Sequence, residues 1–190
     1  MKKKAIALTV IIVLILASGL LYFVYPRRYV ISYPVFHQVP YHGQETKFYC
    51  GEACIQMMLE FYGCEPLPSQ NTLAEQADFS NNMTPSKGMP KPFNNRGFQV
   101  TINWTANYGW AYQNLIEQAK SRPVIILITL DNGIGHYLVV FNGDNQGINY
   151  HDPAYGPDQY MDYDRVRSLW NDNCLAHPPQ PSCWILMVRT

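Results

Sequence analysis

No charged residue interrupts the sequence between Lys4 and Arg27, and the uncharged run from Ala5 to Tyr25 is long enough to cross a bilayer as a helix. A segment of that kind cannot share a core with a water-soluble fold, so it divides the chain. Residues 1–28 read as a membrane anchor, and 29–190 as the rest. That remainder is enough for one ordinary domain and too short for two. A cleavable signal would have a shorter apolar region ending in small residues, and "LASG" is a weak version of that ending. An uncleaved anchor is therefore expected, with secretion after cleavage as the alternative. Lys2, Lys3 and Lys4 with the amino terminus outweigh Arg27 and Arg28, which places the N-terminus inside and the domain outside the cytoplasm.

Five of the 14 basic residues flank the apolar run while all 14 acidic ones follow it, leaving the domain with a net charge of about −5. Lys47, Lys87, Lys91 and Arg96 are scattered rather than gathered in a stripe, so no nucleic-acid partner is expected. The oligomeric state is not legible.

After the anchor, "YVISYPVFHQV" alternates as an extended segment over Tyr29–Val39, and Pro34 assigns it to a sheet edge. Ile55, Met58, Leu59 and Tyr62 then recur at helical spacing, predicting a helix from Cys50 to Tyr62 that Gly63 closes. A shorter helix is expected over Thr72–Ala77, followed by a polar loop, "DFSNNMTPSKGMPKPFNNRG". "FQVTINW" reads as a strand and "WAYQNLIEQAKS" as an amphipathic helix. "PVIILITL", "HYLVVF", "GINYH" and "WILMVR" are the clearest strands, the first apolar enough to be buried on both faces. Helices first and an antiparallel sheet afterwards make an α+β domain.

Cysteine is ordinarily a small buried hydrophobe, but Cys50 stands in the first turn of a helix, where free amide donors and the positive end of the dipole favour thiolate. Cys54, one turn on among Ala53, Ile55 and Met57, reads as core. A thiolate needs a base, and the base needs an orienting group. His136 opens the strand "HYLVVF", joined through "NGDNQG" to "GINYHD". Counting outward from the turn sets His136 across from Asp152 within one residue. Such a pair lies close enough to couple imidazole and carboxylate. Gln44, shortly before the thiol, can join the Cys50 backbone N–H as an oxyanion donor.

Gln44, then Cys50-Gly51 at a helix start, Gly135-His136 at a strand start and Asp152-Pro153 after the next strand together resemble the papain-like cysteine peptidases. Within them the chain is most similar to the bacteriocin-processing, double-glycine-leader type and its stand-alone relatives. The matching pieces, "VPYHGQETKFYCGEACIQMMLEFYG", "RPVIILI", "GHYLVVFNGD" and "HDPAYG", span residues 39–156. The resemblance implies a papain-like fold, a peptide substrate and no cofactor. It also implies Cys50 as nucleophile, His136 as general base then acid, Asp152 as the orienting group and Gln44 as oxyanion donor. Glu52 departs from the pattern, placing a carboxylate where it gains from the helix dipole and opposes a nearby thiolate. The family's transporter-fused members carry a nucleotide-binding domain, but no P-loop pattern occurs here, so ATP use is not implied.

Two other readings compete. Cys174, His177 and Cys183, with His151 and Asp152, offer zinc-ligating types at looser spacing than a structural site uses; a Cys174–Cys183 disulfide accounts for two of them in an oxidising compartment. A silent peptide-binding module on the same fold, or an acyltransferase using the same thiol, are the functional alternatives to hydrolysis.

Overall fold

The structure, a computed structural model, describes residues 37–105, 107–171 and 183–190. The proposed anchor, Cys174, His177 and most of the expected Tyr29–Val39 strand lie outside them. Residues 37–39 are described and form no strand. Among the described residues no helix is long and apolar enough to cross a membrane.

Helix α1 (Cys50–Phe61) is followed by α2 (Gln70–Gln76), the single turn α3 (Lys91–Asn94), strand β1 (Gln99–Asn103) and α4 (Tyr108–Ser121). Strands β2 (Val124–Thr129), β3 (Gly135–Gly143), β4 (Gly147–Asp152) and β5 (Gly156–Asp162) come next, then α5 (Tyr163–Asn171) and β6 (Ile185–Arg189). The strands form one antiparallel sheet in the order β1-β6-β2-β3-β4-β5. The last strand therefore enters between the first two, pairing Val100 with Val188 on one side and Ile125 with Leu186 on the other.

Alternation along the central strands supplies two cores, as a period of two requires. Ile125, Val139, Phe141, Leu186 and Val188 pack with α1 and α2, whereas Ile126, Leu138, Val140, Ile185 and Met187 pack with α4 and α5. That double covering is why β2 reads as an unbroken apolar run. Helix α1 is buried along Gly51–Leu59, so its sequence lacks the polar face of a surface helix. It ends as its sequence directs. Gly63 adopts φ of 71°, its N–H bonds the Glu60 carbonyl, and the Cys64 N–H bonds that of Leu59, each at 2.9 Å.

Three elements differ from the sequence reading. The expected loop after α2 contains α3 and buries Met89 and Phe93 completely against the α1 core, so it is part of the packing. Strand β5 is a polar, mostly exposed edge, "GPDQYMD", whose signal is weak because only one face of an edge strand meets the core. Helix α5 buries Val166, Leu169 and Trp170, a helical spacing that a nine-residue window shows only faintly.

Candidate active site

Cys50 is the first residue of α1 and is partly exposed, with no side-chain cap competing for the free amides of the first turn. The next residue must be small. A Cβ at Gly51 would stand 3.1 Å from both the Met89 sulfur and the Thr84 Cβ, so the helix start is pressed directly onto the 84–89 segment.

His136, at the start of β3, is buried, and its Nε2 lies 2.8 Å from Asp152 Oδ1. The Cys50 side chain lies near enough to the ring to add to its electrostatics beside Asp152. Burial alone would push the imidazolium's pKa down. The hydrogen bonds and charges of Asp152 and Cys50 outweigh it and lift the ring from its ordinary 6.5 to about 9. The cation is thus the favoured form at neutral pH. Asp152 is held in turn: its Oδ1 also accepts from the backbone N–H groups of Ala154 (2.8 Å) and Tyr155 (3.2 Å), closing a turn around Pro153.

The pairing differs from direct opposition. Val139 faces His151 and a bulge lies between Val140 and Asn142, a register that carries Asp152 to Leu138 rather than His136. His136 and Asp152 are diagonal neighbours whose side chains bridge the gap. The longer turn, 144–146, displaces the count and the bulge recovers one residue of it, leaving a slip of two.

Gln44 lies on the irregular segment before α1, tied to the Asp152 turn by its N–H on the Pro153 carbonyl at 2.9 Å. Tyr41 adds a second tie through its hydroxyl, which bonds the carbonyls of Asp152 (3.2 Å) and Pro153 (3.4 Å). The Gln44 Oε1 is buried and has no hydrogen-bond partner among the described residues. The segment carrying Gln44, the helix carrying Cys50 and the hairpin carrying His136 and Asp152 therefore meet. Tyr41 was not singled out in the sequence, where one tyrosine among 14 carries no signal.

Glu52 differs from expectation. Its carboxyl is fully buried, one oxygen accepting from the Thr84 hydroxyl and the other lacking a partner among the described residues. Burial raises its pKa, opposed by the Thr84 bond. Desolvation has overtaken the dipole that a first-turn carboxylate would enjoy in solvent. Cys54 is fully buried, as core, and burial pushes its thiol well up. His151 is committed elsewhere: Nε2–H donates to the Val39 carbonyl at 2.9 Å, and Nδ1 accepts from the Asp158 N–H at 3.0 Å. Neither ring nitrogen is left for a metal. Among the described residues no cluster of metal-ligating side chains is present. The zinc and disulfide readings rest on Cys174 and His177 and so fall outside the described residues.

No curated protein matches the sequence. Among solved structures, the fold is similar to the peptidase domain of Streptococcus ComA, a bi-functional ABC transporter involved in a quorum-sensing pathway. Identity is 18%, the TM-score is 0.61, and 78% of this chain and 96% of that one are covered. A double glycine motif protease from an AMS/PCAT transporter, in complex with the leader peptide, is 16% identical at a TM-score of 0.60, with 80% and 92% covered. A C39-like peptidase from Bacillus anthracis is 11% identical at 0.58, with 81% and 96% covered. At such identities these likenesses carry the α+β fold alone. The sequence itself matches the Peptidase C39 family over residues 38–182, about three quarters of its length, and the chain therefore belongs to that family of cysteine peptidases.

Proposed function

We propose that the chain is a thiol-dependent hydrolase that cleaves peptide or isopeptide bonds with Cys50, His136, Asp152 and Gln44. The observation that supports this reading is the buried His136 ring, hydrogen-bonded to Asp152 at 2.8 Å and raised in pKa by Asp152 and Cys50 together. A thiolate beside an imidazolium is the reactive state of a cysteine nucleophile.

In this reading the Cys50 sulfur forms a bond to the carbonyl carbon of the scissile amide while the carbonyl π pair moves to oxygen. The Gln44 side-chain amide and the Cys50 backbone N–H receive that developing charge. His136 gives its Nδ1 proton to the leaving nitrogen as the C–N bond breaks, leaving a thioester on Cys50 and a neutral ring. The ring then takes a proton from water as the oxygen attacks the thioester; collapse releases a carboxylic acid and restores the sulfur–imidazolium pair. Asp152 holds Nε2 throughout, its carboxylate fixed by the Ala154 and Tyr155 amides.

The substrate in this reading is a peptide or protein, supported by family membership and by the leader peptide bound to one of the similar peptidases. Residues 1–28 would hold the domain 29–190 at the outer face of a membrane, on the strength of the sequence run and its flanking charges.

The test is incubation of the purified chain and its Cys50→Ala variant with a diverse peptide library, cleavage sites being read by mass spectrometry. Turnover by the wild type alone is expected. Equal cleavage by Cys50→Ala would overturn the reading, as would alkylation at neutral pH that favours Cys54 or Cys64 over Cys50.

A further inference from the structure

Gln70 makes contacts that neither the family reading nor the mechanism uses. It is the first residue of α2 and is 1% exposed, an unusual place for a side-chain amide. Its Nε2 donates to the Gly43 carbonyl at 2.9 Å, and its Oε1 accepts from the Glu45 N–H at 2.9 Å. One amide thus pairs with the backbone on both sides of Gln44, as a neighbouring strand would. The second Nε2 proton goes to Gln56 Oε1 at 3.1 Å, and Gln56, on α1, donates its own amide to the Pro68 carbonyl at 2.9 Å. A chain of two buried amides therefore runs from the helix bearing Cys50 to the segment bearing Gln44.

Packing does not require this chain. Leu73 of α2 and Ala77, the residue that caps it, already sit in the apolar core with Cys54, Ile55 and Met58 of α1. What the Gln70 amide adds is orientation: it fixes the peptide planes before and after Gln44, while the Gln44 N–H is fixed separately by the Pro153 carbonyl. Gly43 and Glu45 are themselves exposed and have no regular secondary structure to hold them. A buried amide with all its donors used is a stiff support, since any movement strands a polar group away from water.

We propose that Gln70 is a positioning residue that holds Gln44 in line with the Cys50 backbone N–H, so that the two donors converge on one oxyanion. The proposal rests on the peptidase reading and goes beyond it by assigning the oxyanion donor's support to α2.

The test compares Gln70→Leu, Gln44→Ala and the double variant in the full-length chain, measuring kcat, KM and the rate of Cys50 alkylation by iodoacetamide. Gln44→Ala should lower kcat by about 100-fold, and Gln70→Leu by roughly 10-fold or more, both with KM nearly unchanged, because the lost contact forms in the transition state. Alkylation, which builds no oxyanion, should stay within about twofold of wild type in each variant. In the Gln44→Ala background Gln70→Leu should cost less than about twofold more, since its effect passes through Gln44. If Gln70→Leu fails to fold, Gln70→Glu takes its place: it keeps the volume and the acceptor for Glu45, loses the donors to Gly43 and Gln56, and should lower kcat with KM and alkylation nearly unchanged. Additive losses in the double variant, an unchanged kcat in the folded variant, or a parallel fall in alkylation would overturn the proposal and leave the peptidase reading standing. Turnover that survives Cys50→Ala would instead remove the peptidase reading and the support role with it.

Discussion

Replacing Asp152 by asparagine keeps an oxygen beside His136 but removes the charge. In the native fold the ring is raised from its ordinary 6.5 to about 9, against the downward pull of its own burial. At about 1.4 kcal/mol per unit, that rise corresponds to roughly 3 kcal/mol of preference for the imidazolium. Asp152 and Cys50 share this work, so with the carboxylate gone burial is opposed by the sulfur alone, and the ring's pKa should fall. Fewer molecules then hold the imidazolium, and an asparagine turned to offer its NH2 to Nε2 would favour the wrong tautomer. Together these should lower kcat/KM by about 100-fold or more. The rate of Cys50 alkylation against pH reports the ring directly, and its alkaline limb should move down in Asp152→Asn. Stability carries the same signature. A raised histidine contributes stability that is complete below pH 6.5 and is lost as pH rises through about 9, so wild-type Tm should decline across that window and the variant's decline should be shallower. An alkaline limb that stays where the wild type has it, with kcat/KM within about threefold, would refute the assignment of Asp152 as the group that sets the ring's charge.

Other outcomes follow from the same contacts. Glu52→Gln keeps an acceptor for the Thr84 hydroxyl and removes a buried ionisable group. Because that carboxyl's pKa is raised above its ordinary 4.5, its folded-state stability is complete below pH 4.5 and is lost as pH rises through the raised value. The variant should therefore melt higher at neutral pH, with an advantage that shrinks toward pH 4.5 in thermal scans. Trp184 is buried, stacks edge-on to Tyr137 at 5.7 Å and joins the core under α1, so Trp184→Ala should cost about 3–5 kcal/mol, read as a lower urea midpoint at unchanged m. Tyr41→Phe removes the hydroxyl that bonds the Asp152 and Pro153 carbonyls; chemical denaturation should show a loss of about 1 kcal/mol, and kcat should fall a few-fold.

The sequence made the central elements legible because their signals are local. The α1 start at Cys50, its Gly63 stop and the apolar strands β2, β3 and β6 each follow from a few neighbouring residues. His136 and Asp152 were legible as a hairpin pair, although the turn at 144–146 moved the register, because a diagonal contact tolerates the slip that direct opposition does not. Glu52 was visible as a departure, but its burial was not: the 84–89 segment that covers it reads as polar loop, and the Met89 and Phe93 packing that pins it depends on a turn too short to leave a period. Gln56 and Gln70 were illegible. Two glutamines 14 residues apart carry no pattern until the helices around them are docked.

The placement of the thiol and the imidazole on different halves of the domain has a consequence for the nascent chain. His136 and Asp152 are 16 residues apart on one hairpin, so their bond can form early and locally. Cys50 comes to the ring from α1, which packs both on β3 and on α2. In the proposed mechanism the nucleophile and its base therefore meet only when α1 is docked on β3. Alkylation kinetics at Cys50 would then serve as a gauge of tertiary assembly.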